Sequence, residues 1–229
     1  MIKLKIRPRG ILTNRELEAL FPQDVEKLAR VWGDAGMAVF MLVLAATGIR
    51  SGEARALRWK HVQSKRMQIQ TATVEIWYLQ VEDAVKFTSA EPVIGTTKAG
   101  KPRPVFLPER ARGALEWWKE HSPWPTRSSD FVFPGREVDR PMDEDLPRQR
   151  FKKALEAAEV DAADRWLTPH SLRHSYVSRA KRKLPSDIHL TMVGHEDEKT
   201  DAMYFHETLE QMLERIAVAR GQIESAAKW

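Results

Sequence analysis

Ten consecutive residues, 37–46 (MAVFMLVLAA), carry no polar side chain. A helix through residues 36–47 is apolar on every side, so it has no stripe to show to water and must be buried. At ten residues the run is also too short to span a bilayer, which takes about 20. The chain therefore has to wrap this helix with other elements. Its 229 residues, 42% of them apolar, suffice for one large domain or two small ones.

Around that run the pattern is mainly helical. Thr13 and Glu16 form a capping box, with Leu12 and Leu17 placed as the staple, and this helix is expected to stop at Phe21-Pro22. Thr47-Gly48 ends the buried helix, and a second is expected from Ser51 to about Trp59. Residues 66–70 and 74–76 alternate, and Val105-Phe-Leu107 is short and apolar, which reads as one small antiparallel sheet with turns at Gly95 and Ala99-Gly100. Helices are expected over 109–120, with Leu115 and Trp118 on one side, and from about Arg148 to Glu159. Residues 121–147 read as mostly loop. Thr168-Pro169 opens a helix ending near Leu184-Pro185, Ser186 opens a short one, and Thr200 is a candidate cap for another. Leu209, Met212, Leu213 and Ile216 mark a last amphipathic helix. The fold class is mainly α with a small antiparallel β-sheet.

There is no cysteine, which removes disulfides, thiolate metal sites and cysteine nucleophiles. Residues 1–10 (MIKLKIRPRG) are basic but have no apolar core, so they read as a tail or linker stub rather than a secretory signal, and a cytoplasmic location is expected. The excess of 37 Lys and Arg over 32 Asp and Glu permits a polyanionic partner without requiring one.

Several short segments carry chemistry. In TPHSLRH, His170, Arg173 and His174 share one helical face near a positive helix N-terminus, an anion-binding group; taken alone it is equally a solvated basic face or a pair of core histidines. A zinc site is the weaker reading, since no Glu follows His170 and Arg173 would repel a cation. In TGIRSGE, Arg50 stands at a helix junction where Glu53 can orient it; alone, a surface Arg after a turn is the commoner case. Lys98 lies in the basic turn TTKAGKPR, His195 follows Gly194 at a helix end, and Tyr204 stands nine residues beyond His195. Singly, these are an ordinary solvated turn, a helix-end histidine and a packing tyrosine.

Order and spacing change that. Arg50 in TGIRSGEARAL, Lys98 in TKAGK, His170 and Arg173 in HSLRH, His195 in VGH and Tyr204 in MYFH resemble the tyrosine recombinase (phage integrase) signature, from about Leu12 to His206. His174 fits as a structural helper. Two departures stand out: Glu196-Asp197 replaces the family's small polar residues after Gly-His, and no counterpart of its N-terminal DNA-clamping domain is seen. The expectation is a catalytic domain over 11–229, from a fragment or a minimal member.

The resemblance implies a DNA transesterase with Tyr204 as nucleophile and a 3′-phosphotyrosyl intermediate. Arg50 and Arg173 would clamp the non-bridging oxygens and His195 would add a hydrogen bond. His170 is the candidate base and Lys98 the candidate acid for the leaving 5′-oxygen, with Lys101 as runner-up. Two Arg and one Lys supply the positive charge that metal ions supply elsewhere, so no metal and no cofactor is expected. The partners expected are double-stranded DNA, with no membrane, and further copies of the chain: a monomer when free and a homotetramer on paired sites. Lys60, Lys65, Arg66, Lys101 and Arg103, with Arg7 and Arg9, are candidate phosphate contacts. The C-terminal helix is either an exchange segment between protomers or ordinary internal packing. The alternatives kept are a type IB topoisomerase and a DNA-binding relic without activity.

Overall fold

The computed structural model describes residues 10–87, 92–97, 100–194 and 207–229. Its centre is α3 (Ala35–Thr47), where every residue from Gly36 to Thr47 is buried. Asp34 caps its start, accepting from the Met37 N–H at 2.6 Å. Packed on α3 are α2 (Val25–Trp32), α5 (Glu109–His121), α6 (Asp145–Ala157), α7 (Pro169–Lys183) and α9 (Leu209–Ala227). None of the described helices is long and apolar enough to cross a membrane.

Gly48 stops α3 with φ 70°, donating its N–H to the Leu44 carbonyl at 3.0 Å. A β-carbon there would lie 2.3 Å from Cδ1 of Tyr176, a ring with no exposed surface. Gly48→Ala is therefore expected to destabilise by about 3–5 kcal/mol, since a left-handed backbone and an overpacked core add up. Urea denaturation of the variant reads this directly. A loss below about 1 kcal/mol would mean the α3–α7 contact yields easily.

The first helix, α1 (Asn14–Leu20), is built as its sequence expects. The Thr13 N–H donates to Oε2 of Glu16 at 2.8 Å, the Glu16 N–H donates back to Thr13 Oγ1, and Leu12 and Leu17 are buried. This end is tied to α7: Leu12 donates its N–H to Ser175 Oγ at 2.8 Å, and Arg165 pairs with Glu16.

The β structure is larger than expected and divided in two. β1 (Val62–Ile69), β2 (Ala72–Val81) and β5 (Arg103–Phe106) form an antiparallel sheet in the order β1-β2-β5. A separate ribbon pairs β3 (Asp83–Phe87) with β4 (Pro92–Thr96). Gly95 is no turn; it lies inside β4 opposite Ala84. The ribbon crosses α4 (Ser51–Ala56), where a β-carbon on Gly52 would come within 2.8 Å of the Val85 carbonyl.

α4 also stops earlier than expected. Leu57 leaves the helix with ψ 132°, and residues 59–61 make a single 3₁₀ turn. The cause is a competing set of backbone partners: Trp59 and Lys60 donate to the carbonyls of Asp130 and Ser128, and Val132 donates to Leu57.

Beyond α7, α8 (Ser186–Val193) ends at Gly194 in the left-handed conformation, φ 60°. α9 packs against its own α7, α8 and sheet, burying Leu213, Ile216 and Ile223, whereas Leu209 is exposed. Of the two roles expected for this helix, the structure displays internal packing. Arg215 joins it to α8 through Asp187 Oδ2 at 2.9 Å and Thr191 Oγ1 at 3.0 Å, and to Glu207 at 2.9 Å. Thr200, expected as a cap, lies outside the described residues, as do residues 1–9.

Candidate active site

The last turn of α8 collects three arginines from three other elements. A helix leaves its final carbonyls without internal partners and its C-terminus partly negative. Here Arg103 Nε donates to Met192 O at 3.4 Å, Arg173 Nη2 to Val193 O at 2.6 Å and Arg50 Nη2 to Gly194 O at 3.1 Å. Arg173 Nη1 also donates to Gly48 O at 2.5 Å, so one planar fork bridges the end of α3 to the end of α8.

Glu53 is the counter-charge, with a fully buried carboxylate. Its Oε1 accepts from Arg50 Nη1 at 3.0 Å and from Arg103 Nη1 at 3.2 Å, and its Oε2 from Arg103 Nη2 and the Arg50 N–H, both at 2.8 Å. Three guanidinium charges against one carboxylate leave the cluster with a formal excess of two positive charges. The three differ in access: the side chain of Arg50 is 26% exposed and that of Arg103 6%. Arg173 is buried at 4%. Arg50 and Arg173 together form a cationic socket, because each guanidinium has five N–H groups and side-chain bonds to the described residues take two of each.

The electrostatics follow from burial and these partners. Burial, then the charge of Arg50, brings the Arg173 guanidinium down to about 10, so it stays protonated at neutral pH. For Glu53, burial alone would raise the carboxyl; the charge and hydrogen bonds of Arg103, then Arg50, outweigh it and hold the carboxyl below its ordinary value. A depressed carboxyl stabilises the fold above the unfolded-state value near 4.5, and that contribution is lost as pH falls through the lower folded value. Wild-type stability is thus expected to fall below about pH 4.5 more steeply than that of Glu53→Gln. Urea midpoints taken between about pH 3 and pH 6 test this, and parallel curves would contradict it.

The expected site residues fall into three groups. Arg50, Glu53 and Arg173 are brought together as described. His170 and His174 lie on α7, their rings in edge-to-face contact with centroids 4.5 Å apart; His170 is exposed and His174 half-buried. Lys98, His195 and Tyr204 lie outside the described residues. Of the candidate phosphate contacts, Lys60, Arg66 and Lys101 are exposed, and Lys65 pairs with Glu210 at 2.8 Å. Arg103 is a correction: it is buried, and its fork and Nε are turned to Glu53 and the Met192 carbonyl rather than to a duplex. A buried carboxylate 50 positions earlier draws it inward.

A helical domain that gathers three guanidinium groups against one carboxylate, with two histidines on the same helix as Arg173, is suited to an oxyanion such as a phosphate, because the surplus charge outweighs the partly negative helix end. The chain belongs to the phage integrase family, whose model matches residues 12–211. It is 29% identical over 204 residues to an integrase of Streptomyces ambofaciens, covering 85% of this chain and 50% of that protein. The chain thus spans about half the length of the curated relative it matches. Its fold is similar to that of the Tn1549 transposon integrase, with a TM-score of 0.62 at 17% identity, covering 98% of this chain and 68% of the other. It is also similar to the XerA recombinase, at a TM-score of 0.56 and 19% identity, covering 92% and 64%. The mainly helical class with a small antiparallel component is the fold those structures share.

Proposed function

We propose that residues 11–229 are the catalytic domain of a site-specific DNA recombinase that cuts and rejoins strands through Tyr204. The observation that carries this reading is the Arg50–Arg173 socket at the end of α8, the helix whose chain leads directly into the segment of His195 and Tyr204. Two rigid guanidinium forks suit the non-bridging oxygens of a phosphodiester, where negative charge grows in the transition state.

In the proposed step the Tyr204 oxygen attacks phosphorus and the P–O5′ bond breaks. The phenol proton passes to His170, and Lys98 protonates the leaving 5′-oxygen. The products are a 3′-phosphotyrosyl bond and a free 5′-hydroxyl. Attack by the 5′-hydroxyl of a partner strand reverses the step, so bond energy is retained and no nucleoside triphosphate is consumed. His195 adds a hydrogen bond to the phosphate, and His174, in edge contact with His170, supports that ring. Exposed Lys60, Arg66 and Lys101 would contact DNA phosphates.

The partner proposed is double-stranded DNA; the similar Tn1549 integrase is described in complex with a circular intermediate DNA. Four copies would assemble on paired sites from monomers in free cytoplasmic protein. Residues 1–10 would serve as a basic lead-in to the domain.

A duplex nicked just beyond the cleavage position, which loses its short 5′ fragment after attack, tests the chemistry. Covalent protein–DNA complex should accumulate, with the adduct mapping to Tyr204. No adduct under any salt condition would leave only the DNA-binding reading. Exchange of strands between two labelled sites supports the recombinase, and relaxation of supercoiled plasmid without exchange points to a topoisomerase.

A further inference from the structure

Arg103 has no role in the chemistry just described, yet it is buried as deeply as Arg173 and far more than Arg50. We infer that Arg103 is a positioning residue for that proposed reaction: by gripping Glu53 from β5 it fixes the orientation of Arg50 and locks together the three segments that must meet around the phosphate.

Three contacts support this. First, Arg103 meets Glu53 with both ends of its fork, at 3.2 and 2.8 Å, and Glu53 in turn holds both the guanidinium and the N–H of Arg50. Second, Arg103 Nε reaches the Met192 carbonyl, and its guanidinium packs so closely on Gly194 that a β-carbon there would sit 2.8 Å from Cζ. Third, Arg103 opens β5, five residues after Lys98 in the sequence. One side chain, carried by the strand that follows Lys98 in sequence, therefore joins the Arg50 turn to the helix end whose chain leads on to His195. A rigid three-way tie of this kind lets the site form without ordering its parts during the reaction.

The carboxylate that Arg103 grips is faced by Arg50 from its own helix start and by Arg173 from α7. β3, packed across α4, presents the Val85 backbone there, and α8 presents carbonyls. Removing Arg103 takes away the strongest group keeping Glu53 ionised in a dry site, and a protonated Glu53 no longer holds Arg50 by charge.

The test uses the full chain with Arg103→Met, Arg103→Lys and the double variant Arg103→Met/Glu53→Gln. Single-turnover formation of the covalent complex is followed on the nicked duplex from about pH 5 to pH 9. Arg103→Met should slow cleavage about 10²-fold, leave DNA affinity within about twofold, and add a second acid limb to the one that the proposed histidine base already gives wild type. The double variant should lose the added limb and keep the histidine one, since the Glu53 carboxyl is gone. Arg103→Lys keeps the charge without the fork and should fall between, which keeps the test informative if the methionine variant folds poorly. The Arg50 guanidinium is read separately from the ¹H–¹⁵N resonance of its Nη groups, which donate to Glu53 and Gly194. This should be protected from exchange in wild type and Arg103→Lys and exposed in Arg103→Met. A rate loss that is the same at every pH, with the Arg50 resonance unchanged, overturns the inference and leaves Arg103 a plain stability element. If wild type forms no adduct, the recombinase reading falls, while the Arg50 resonance still decides whether Arg103 positions it.

Discussion

Arg173→Lys is expected to slow single-turnover strand cleavage by about 10²–10³-fold and also to weaken the fold. Conservation of charge does not rescue it, because the residue works as a fork. One Nη reaches Gly48 O and the other Val193 O, joining the ends of α3 and α8. A lysine ammonium reaches one of them at best. The carbonyl left over is buried and unpaired, which costs about 1–3 kcal/mol. The planar pair of donors left for the phosphate disappears as well. Two measurements separate the effects: urea denaturation reads the fold, and cleavage on the nicked duplex, at a temperature where both proteins are folded, reads the chemistry. A lysine variant that cleaves within about tenfold of wild type would remove Arg173 from the proposed clamp.

Tyr204→Phe is expected to abolish the covalent complex altogether. The loss is complete rather than fractional because phenylalanine offers no oxygen to phosphorus. DNA affinity and its salt dependence should stay within about twofold of wild type, since phosphate contacts by Lys and Arg dominate binding of this kind. A free phenol has a pKa of about 10, so ionising it at pH 7 costs roughly 4 kcal/mol, a cost the Arg50–Arg173 socket is proposed to offset. Covalent capture by the phenylalanine variant, checked on a denaturing gel, would move the nucleophile elsewhere in the chain.

How far the sequence announces this structure depends on the range of the interaction. The capping box at Thr13 and Glu16, the Thr168-Pro169 start of α7 and the buried run of α3 are local signals, and each sits where the pattern puts it. α2 is the exception: Asp24 caps it, Gly33 ends it and Leu28, Val31 and Trp32 stand at helical spacing, so its signal is local too, but it spans only two turns. The early end of α4 depends on residues 128–132, some seventy positions away, and no local pattern carries that. Division of the strands into a sheet and a ribbon is a matter of partner choice, which alternation alone leaves undetermined.

The site divides in the same way. Arg50, Glu53 and Arg173 stand out through motif and order, and the structure gathers them. Arg103 reads as a surface cation in the sequence because a basic turn precedes it. Its apolar successors Val105, Phe106 and Leu107 hinted at an interior strand, but nothing nearby named Glu53 as its partner.

The arginines plug into α8 through main-chain oxygens, and every amino acid brings the same oxygen. The side chains of Met192 and Val193 are held by the core they fill rather than by these bonds, and Gly194 by both its backbone angle and the guanidinium against it, which leaves the exposed positions of the helix free of the arginines. A lineage carrying this domain can accordingly let the surface of that helix drift toward new target sequences or new partners without dismantling the machinery behind it.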